Sequence, residues 1–297
     1  EKVNKSIHIK GARFYGNAGT GIVCSGQNQA GITIEGCEFY DNDGGACDIS
    51  SQTTFTANYV HGHSASSLNA LVQVSASTYA NGSIISKNRF ESNSVAKPCI
   101  YTHSVASGIV ISDNTANDCD YFLNAWASTC YVAGNHMNDP RNTGIGFAST
   151  TSTNTTYVGN TCKNWIGRAM YIEGSPVIEG NHFLDGSSIG FAALDCQGGV
   201  VLARGNFITN TSSTAGLAVR SASGVTVIFD GNYVSNFSTD WASSNSGTLV
   251  ISHTGSGSPE SVLSASVGSQ FNRTDGGTST TLYIKETGTG NTGWVAK

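Results

Sequence analysis

The chain of 297 residues contains only 12% charged residues, with 36 Gly and 4 Pro, a composition that favours short strands and tight turns over helices. A formal net charge of -5 without a Lys/Arg cluster argues against nucleic acid as a partner. No apolar run reaches the length of a membrane span, so we expect no membrane insertion.

A four-residue phrase recurs along the chain, and its second residue is usually Asn. The eight Asn copies are Asn58, Asn88, Asn114, Asn135, Asn160, Asn181, Asn206 and Asn232. From the first to the last, the chain advances 174 residues in seven steps, so the period is about 25. Two earlier copies carry Ala12 and Cys37 at the Asn position.

Two positions around each Asn are mostly apolar, which indicates side chains that point inward. Three residues before the Asn position stand Ile34, Phe55, Ile85, Ile111, Val132, Tyr157, Ile178, Ala203 and Phe229. Two residues after it stand Phe14, Phe39, Val60, Phe90, Met137, Cys162, Phe183, Ile208 and Val234. A further short strand precedes them in each period. Three strands per period predict one coil of a parallel β-helix, with coils about 4.8 Å apart.

Asn suits the bend between two strands, because it tolerates left-handed backbone angles and its amide can bond the Asn above and below. The pattern therefore predicts an all-β parallel β-helix over residues 1–253, with about ten coils, three sheets and an Asn ladder.

The repeat stops at about residue 254. GSGSP is typical of a linker or turn, and VGSQFNRTDGGTSTTLYIKE predicts a β-hairpin around Asp275, Gly276 and Gly277. We therefore divide the chain into a β-helix domain, 1–253, and a C-terminal β module, 254–297.

The Asn repeat resembles that of the pectate-lyase-like right-handed β-helix superfamily, which includes lyases, hydrolases, epimerases, esterases and non-catalytic adhesins. The tail, with its TDGG, TTLYIKE and GTGNTGW runs, is similar to a short module at the end of bacteriophage tail fibre and tailspike proteins. The resemblance implies a homotrimer on the virion that binds, and often cleaves, bacterial surface polysaccharide outside the host cell. It also implies attachment to the phage tail through a part that precedes residue 1.

The cysteines and two neighbouring histidines are interpreted as structural. Eight Cys without a CxxC pair favour buried thiols, and the repeat predicts inward side chains for Cys24, Cys37, Cys47, Cys162 and Cys196. His61 and His63 flank a turn and are expected to be solvated. We expect no metal and no cofactor.

Three carboxylates stand six residues apart in MYIEGSPVIEGNHFLDG: Glu173, Glu179 and Asp185. The repeat places them on different strands or turns. Glu179 is predicted to join a surface ion-pair ladder with Arg204 and Asp230. Asp185 falls in a column of turn residues rich in Asp and Asn, which cap their own backbone.

Glu173 is predicted to face outward on the strand that opens its coil, beside Asp195 and Arg220 in the next two coils. Glycoside hydrolysis uses one acid and one base or nucleophile. We therefore expect Glu173 and Asp195 to be the catalytic pair. Sugars stack on aromatic rings and bond to polar side chains. The expected substrate-binding residues on this face are Arg220, Trp126, Tyr171, Asn124, Tyr101 and His103.

Alternatives to this site remain open. The outward charges could form a second ion-pair ladder, and the strand register could slip. A lyase would use Arg220 or His103 as its base. The same fold also suits a binding-only or structural tail protein, or a secreted pectin or alginate enzyme.

Overall fold

The structure is a computed structural model, and it describes residues 6–25, 31–63, 68–91, 97–127, 129–140, 145–149, 154–187, 191–211, 217–235, 237, 239–243 and 247–297. These residues form 34 β-strands and one 3-10 segment, Thr78–Ala80. The strands, numbered β1 to β34 along the chain, belong to three sheets that we call A, B and C. No helix of the described residues is long and apolar enough to cross a membrane.

Sheet A contains the strands that precede the Asn position, and it continues into the tail. Its strands are β1 (Ile7–Lys10), β4 (Ile32–Glu35), β7 (Thr53–Thr56), β10 (Ile84–Ser86), β13 (Ile109–Ser112), β16 (Thr129–Ala133), β19 (Asn154–Val158), β22 (Val177–Glu179), β25 (Val200–Arg204), β28 (Thr226–Asp230), β31 (Thr248–Gly255), β32 (Gln270–Arg273), β33 (Leu282–Lys285) and β34 (Trp294–Ala296).

Sheet B contains the strands that follow the Asn position. Its strands are β2 (Arg13–Tyr15), β5 (Glu38–Tyr40), β8 (Tyr59–His61), β11 (Arg89–Glu91), β14 (Thr115–Asn117), β17 (His136–Asn138), β20 (Thr161–Lys163), β23 (His182–Gly186), β26 (Phe207–Asn210) and β29 (Tyr233–Ser235).

Sheet C contains the strand upstream of these two in each repeat. Its strands are β3 (Ile22–Cys24), β6 (Cys47–Ile49), β9 (Val72–Val74), β12 (Pro98–Thr102), β15 (Tyr121–Ala125), β18 (Ile145–Ser149), β21 (Arg168–Ile172), β24 (Ala192–Cys196), β27 (Leu217–Ser221) and β30 (Thr239–Ser243).

The predicted parallel β-helix is confirmed. Within the repeat region, each strand pairs in parallel with the strand one repeat away, as in the register Tyr157 to Ile178 to Ala203 on sheet A. All three side chains are buried, because alternate residues of each strand face the interior. The stacked inward columns form one continuous apolar core along the solenoid. All eight cysteines are buried free thiols, as predicted.

The predicted Asn ladder runs through the bend between sheets A and B. Asn160 donates from its backbone nitrogen and from Nδ2 to Oδ1 of Asn181, each at 2.9 Å. Asn181 repeats both bonds to Asn206, at 2.9 and 3.0 Å. Seven members are buried, so these bonds satisfy amides that would otherwise be costly inside the protein.

The left-handed residue at this bend is the one before Asn, not Asn itself, which corrects the sequence interpretation. Gly159, Gly180 and Gly205 all have φ of 60°, and in an earlier coil Ala57 occupies the same position with φ of 53°. Only Gly adopts such angles at little steric cost, which explains the recurrent GN pair. Asn contributes the ladder amide rather than the unusual backbone angle.

The tail forms the predicted hairpin and a third strand that the sequence did not indicate. β32 pairs in parallel with β31, and β33 and β34 follow antiparallel, so the tail extends sheet A. Trp294 is buried, and its indole nitrogen donates to the Leu263 carbonyl at 2.7 Å. The Lys285 ammonium lies 5.9 Å from the Trp294 ring centre and donates to the Thr292 carbonyl. β31 crosses the predicted boundary at residue 253.

Candidate functional site

One outward column of sheet C carries most of the predicted site residues. In successive strands the column reads Tyr101, Asn124, Ala148, Tyr171, Asp195 and Arg220. His103 and Trp126 follow their strands by one residue, so they stand beside the column. Thr102 fixes the Trp126 backbone, since its carbonyl and hydroxyl both accept from the Trp126 nitrogen, at 3.0 and 3.1 Å.

The predicted pairing of Glu173 with Asp195 is wrong by two residues. Asp195 stands beside Tyr171, and Glu173 follows the end of β21, near Gln197, whose backbone nitrogen bonds to Ile172. Alternation along a strand has a period of two, so it identifies the outward face but does not distinguish registers that differ by two residues. The turns before each strand set that register.

Tyr101, His103, Asn124 and Trp126 form what we call the aromatic patch. The Tyr101 ring lies 6.0 Å from Trp126 and 6.4 Å from His103, measured between ring centres. Tyr101 is only 8% exposed, and this burial raises its pKa above the ordinary value. Asn124 bonds to the Tyr121 hydroxyl. The patch is a tilted pair of rings with a polar edge.

Two polar groups of the aromatic patch have no protein partner among the described residues. The indole Nε1 of Trp126 is buried and makes no hydrogen bond there. Nor does the hydroxyl of Tyr101 bond to any side chain or backbone group in the described part of the chain. Buried polar groups normally find partners, so the buried Trp126 nitrogen is an exception on this face.

Arg168, Tyr171, Glu173, Asp195, Gln197 and Arg220 form what we call the ionic cluster. Asp195 is 0% exposed and accepts from Arg168 Nε at 2.5 Å and from Arg220 Nε and Nη2 at 2.8 and 2.6 Å. Gln197 donates to the same carboxylate. The Asp195 oxygens are thus enclosed by protein donors, which holds both guanidinium groups in place.

The other end of the ionic cluster is built on Tyr171. Its hydroxyl donates to Glu173 Oε1 at 2.6 Å, and this bond, together with burial, raises the pKa of Tyr171 to about 12. The Arg168 guanidinium lies 5.2 Å from the Tyr171 ring centre and 3.9 Å from that of Phe191. Glu173 has no ion pair among the described residues, so the two predicted catalytic acids lie in unlike environments.

Sequence reasoning missed Arg168, Phe191 and Gln197. Arg168 lies three residues before Tyr171, so strict alternation would have placed the two side chains on opposite faces. Gln197 follows β24 and lies two residues after Asp195. In an extended segment this spacing places two side chains on the same face, so it could have indicated Gln197.

The remaining polar predictions have mixed outcomes. Glu179 accepts from Arg204 Nη2 at 2.9 Å on the surface, as predicted, and Asp230 stands next in register. The turn predicted for Asp185 is wrong, because the residue lies within β23, where its left-handed φ of 53° accompanies a shift of register between Phe183 and Gly186. The solvated reading of His63 is wrong, since its side chain is buried. His61 is partly exposed, and it stacks on Tyr59 with its Nε2 3.1 Å from Glu38.

Residues 2–162 match a family model described as the right handed beta helix region. The chain belongs to the right-handed β-helix family. Comparisons with curated proteins and with solved structures gave no significant match. Among the residues that the structure describes, this β-helix protein has no group of three His, Cys, Asp or Glu side chains placed to hold a metal ion.

Proposed function

We propose that this β-helix protein is a tailspike-type receptor-binding protein that binds a bacterial surface polysaccharide along the outward face of sheet C. The aromatic patch carries the proposal, because it combines two neighbouring rings with two unpaired polar groups. Pyranose rings offer an apolar face for stacking and hydroxyl groups for hydrogen bonds. The Tyr101 hydroxyl would then gain a partner that the described protein does not supply, while the Trp126 ring offers a surface for stacking.

The face is long enough for a chain-like ligand. From Tyr101 to Arg220 the column crosses six strands, which at about 4.8 Å per coil spans roughly 24 Å. Ala148, small and nearly buried, separates the aromatic patch from the ionic cluster. A polysaccharide lying along the solenoid axis would contact both groups, whereas a single sugar would contact only one.

A panel of bacterial capsules and O-antigens tests the proposal, with binding measured by biolayer interferometry. For the polysaccharide that binds, Trp126→Ala is expected to weaken affinity by about tenfold or more. Tyr15→Ala is the matched control, because Tyr15 is an exposed aromatic residue on sheet B. Equal effects of the two substitutions, or no binding to any polysaccharide, would overturn the proposal.

Cleavage of the bound polysaccharide is a second candidate, favoured by the unlike environments of Glu173 and Asp195. Asp195 is held between two arginines, whereas Glu173 bonds to the Tyr171 hydroxyl and has no ion pair among the described residues, and such contrasts separate the roles of two acids. Glu173 is therefore our proposed general acid. Asp195 is enclosed as the structure stands, so we assign it the positioning of Arg168 and Arg220.

We also propose that copies of the chain assemble as a homotrimer on a phage tail, as the resemblance implies. An outward column of sheet A supports an interface between copies, because it is largely apolar. The column contains Ile84, Val110, Tyr131, Thr156, Val177, Leu202, Ile228 and Val250. Multi-angle light scattering would test this assembly, and a monomeric mass would contradict it.

A further inference from the structure

The last member of the Asn ladder differs from the members below it. Asn206 donates from its backbone nitrogen and Nδ2 to Oδ1 of Asn232, at 2.8 and 2.7 Å. Asn232 donates only one such bond, from Nδ2 to the Ala203 carbonyl of the preceding coil, at 2.9 Å. Its backbone N–H and its second Nδ2 hydrogen therefore have no acceptor among the described residues. In each lower Asn coil this pair of donors binds a carboxamide oxygen.

A cavity lies where the next ladder member would stand. β29 is the last described strand of sheet B, whereas β31 continues sheet A without a bend, which leaves the space above Asn232 open. The cavity has a volume of about 500 Å³, within the range of small-molecule sites. Its lining includes Asn232, Tyr233, Ser252, His253 and Thr254.

Tyr233 supplies an aromatic surface at the same place. One face of its ring stacks on Phe207, with ring centres 4.5 Å apart and planes within 8°. No described strand of sheet B covers the other face, and the residue is 53% exposed. The site thus presents two N–H donors in the geometry that binds an amide oxygen, beside an open aromatic ring.

We propose that this end of the Asn ladder binds the acetamido group of an N-acetylated sugar. The acetamido carbonyl would accept from the two free donors of Asn232, as an Asn side chain does in the lower coils. The apolar ring face of the sugar would stack on Tyr233. Among the described residues, no Lys or Arg lines the cavity, which favours a neutral amide oxygen over a carboxylate. The site is separate from the sheet C face and does not depend on its function.

An NMR titration tests the proposal directly. N-acetylglucosamine or N-acetylgalactosamine, added to ¹⁵N-labelled full-length chain, is expected to shift the backbone amide and the side-chain amide of Asn232. Asn206 is the internal control, because its donors are already occupied, and its signals are expected to stay in place. Glucose and galactose lack the acetamido group, and equal shifts with these sugars, or no shift with any sugar, would overturn the proposal.

Two matched substitutions provide a second test. Tyr233→Ala is expected to raise the dissociation constant for the acetamido sugar by about tenfold. Tyr15→Ala removes a similarly exposed ring, 57% exposed and stacked on Tyr40 at the opposite end of sheet B, and is expected to leave it unchanged. Equal losses would contradict the site. Trp126→Ala is also expected to leave this titration unchanged, which separates this site from the sheet C face.

Discussion

The aromatic patch and the ionic cluster share one face of sheet C but use their polar groups differently. In the ionic cluster, Asp195 is enclosed by two guanidinium groups and an amide, so its polar groups are satisfied internally. In the aromatic patch, Trp126 keeps a buried N–H that no described residue accepts. The buried carboxylate of the ionic cluster is therefore satisfied by protein donors, whereas the aromatic patch is the part of this face that we propose binds a ligand.

The comparison shows that the charge of a side chain and the availability of its polar atoms to a ligand are different properties. The sequence predicted that the charged side chains form a catalytic site. The most buried of them, Asp195, is also the one with the most ion pairs. A buried charge must be compensated, so a buried carboxylate is weak evidence of catalysis unless its environment leaves an oxygen free.

The largest expected effect is a loss of stability when the Asp195 carboxylate, at the centre of the ionic cluster, is removed. Asp195→Ala leaves Arg168 and Arg220 facing each other without their carboxylate, and we expect a loss of about 3 kcal/mol in the free energy of unfolding. Urea denaturation measures it. Glu179→Ala is the matched control, since it breaks an exposed ion pair and should cost about 0.5 kcal/mol. Equal costs would show that Asp195 is not a structural centre.

Replacement of the Glu173 carboxyl group tests whether the ionic cluster also performs chemistry. Glu173→Gln keeps the shape of the side chain, and we expect depolymerisation of the bound polysaccharide to fall by about 100-fold or more while affinity stays unchanged. Reducing-end or viscosity assays measure turnover, and Glu179→Gln is the control. Full cleavage by the Glu173 variant would remove this residue from the site.

A smaller effect is expected from the free hydroxyl of the aromatic patch. Tyr101→Phe deletes a group that bonds to no described residue, so folding should be unaffected, while polysaccharide affinity should fall about fivefold. Thermal denaturation and biolayer interferometry measure the two properties. Tyr15→Phe is the control outside the sheet C face. A loss of stability without a loss of affinity would show that the Tyr101 hydroxyl serves the fold.

The smallest effect concerns the pH dependence contributed by Tyr171. Its pKa of about 12 exceeds the ordinary value because the hydroxyl donates to Glu173. The stabilisation is therefore complete below about pH 10 and is lost as the pH rises toward 12. Ultraviolet absorbance titration of the wild type minus Tyr171→Phe should show one tyrosine that ionises near pH 12. A difference titration centred near pH 10 would contradict the Tyr171–Glu173 bond.

The repeat predicted the fold well because each coil repeats the same local requirements. The apolar residues around each Asn of the repeat indicate the inward face independently in each copy, so errors in one coil are corrected by the others. The site had no such redundancy. Its register depends on turns of unequal length, and the pairing of Glu173 with Asp195 failed by two residues for that reason.

The sequence by itself determined the parallel β-helix, the Asn ladder and the outward face of sheet C, because periodicity and alternation are properties of the chain. Tertiary structure alone decided which outward residues meet, since contacts between coils depend on the register of strands more than 20 residues apart. It enclosed Asp195 with Arg168 and Arg220 and left Trp126 without a described partner. It also showed that the last ladder residue, Asn232, lines a cavity, which the end of the repeat in the sequence did not reveal.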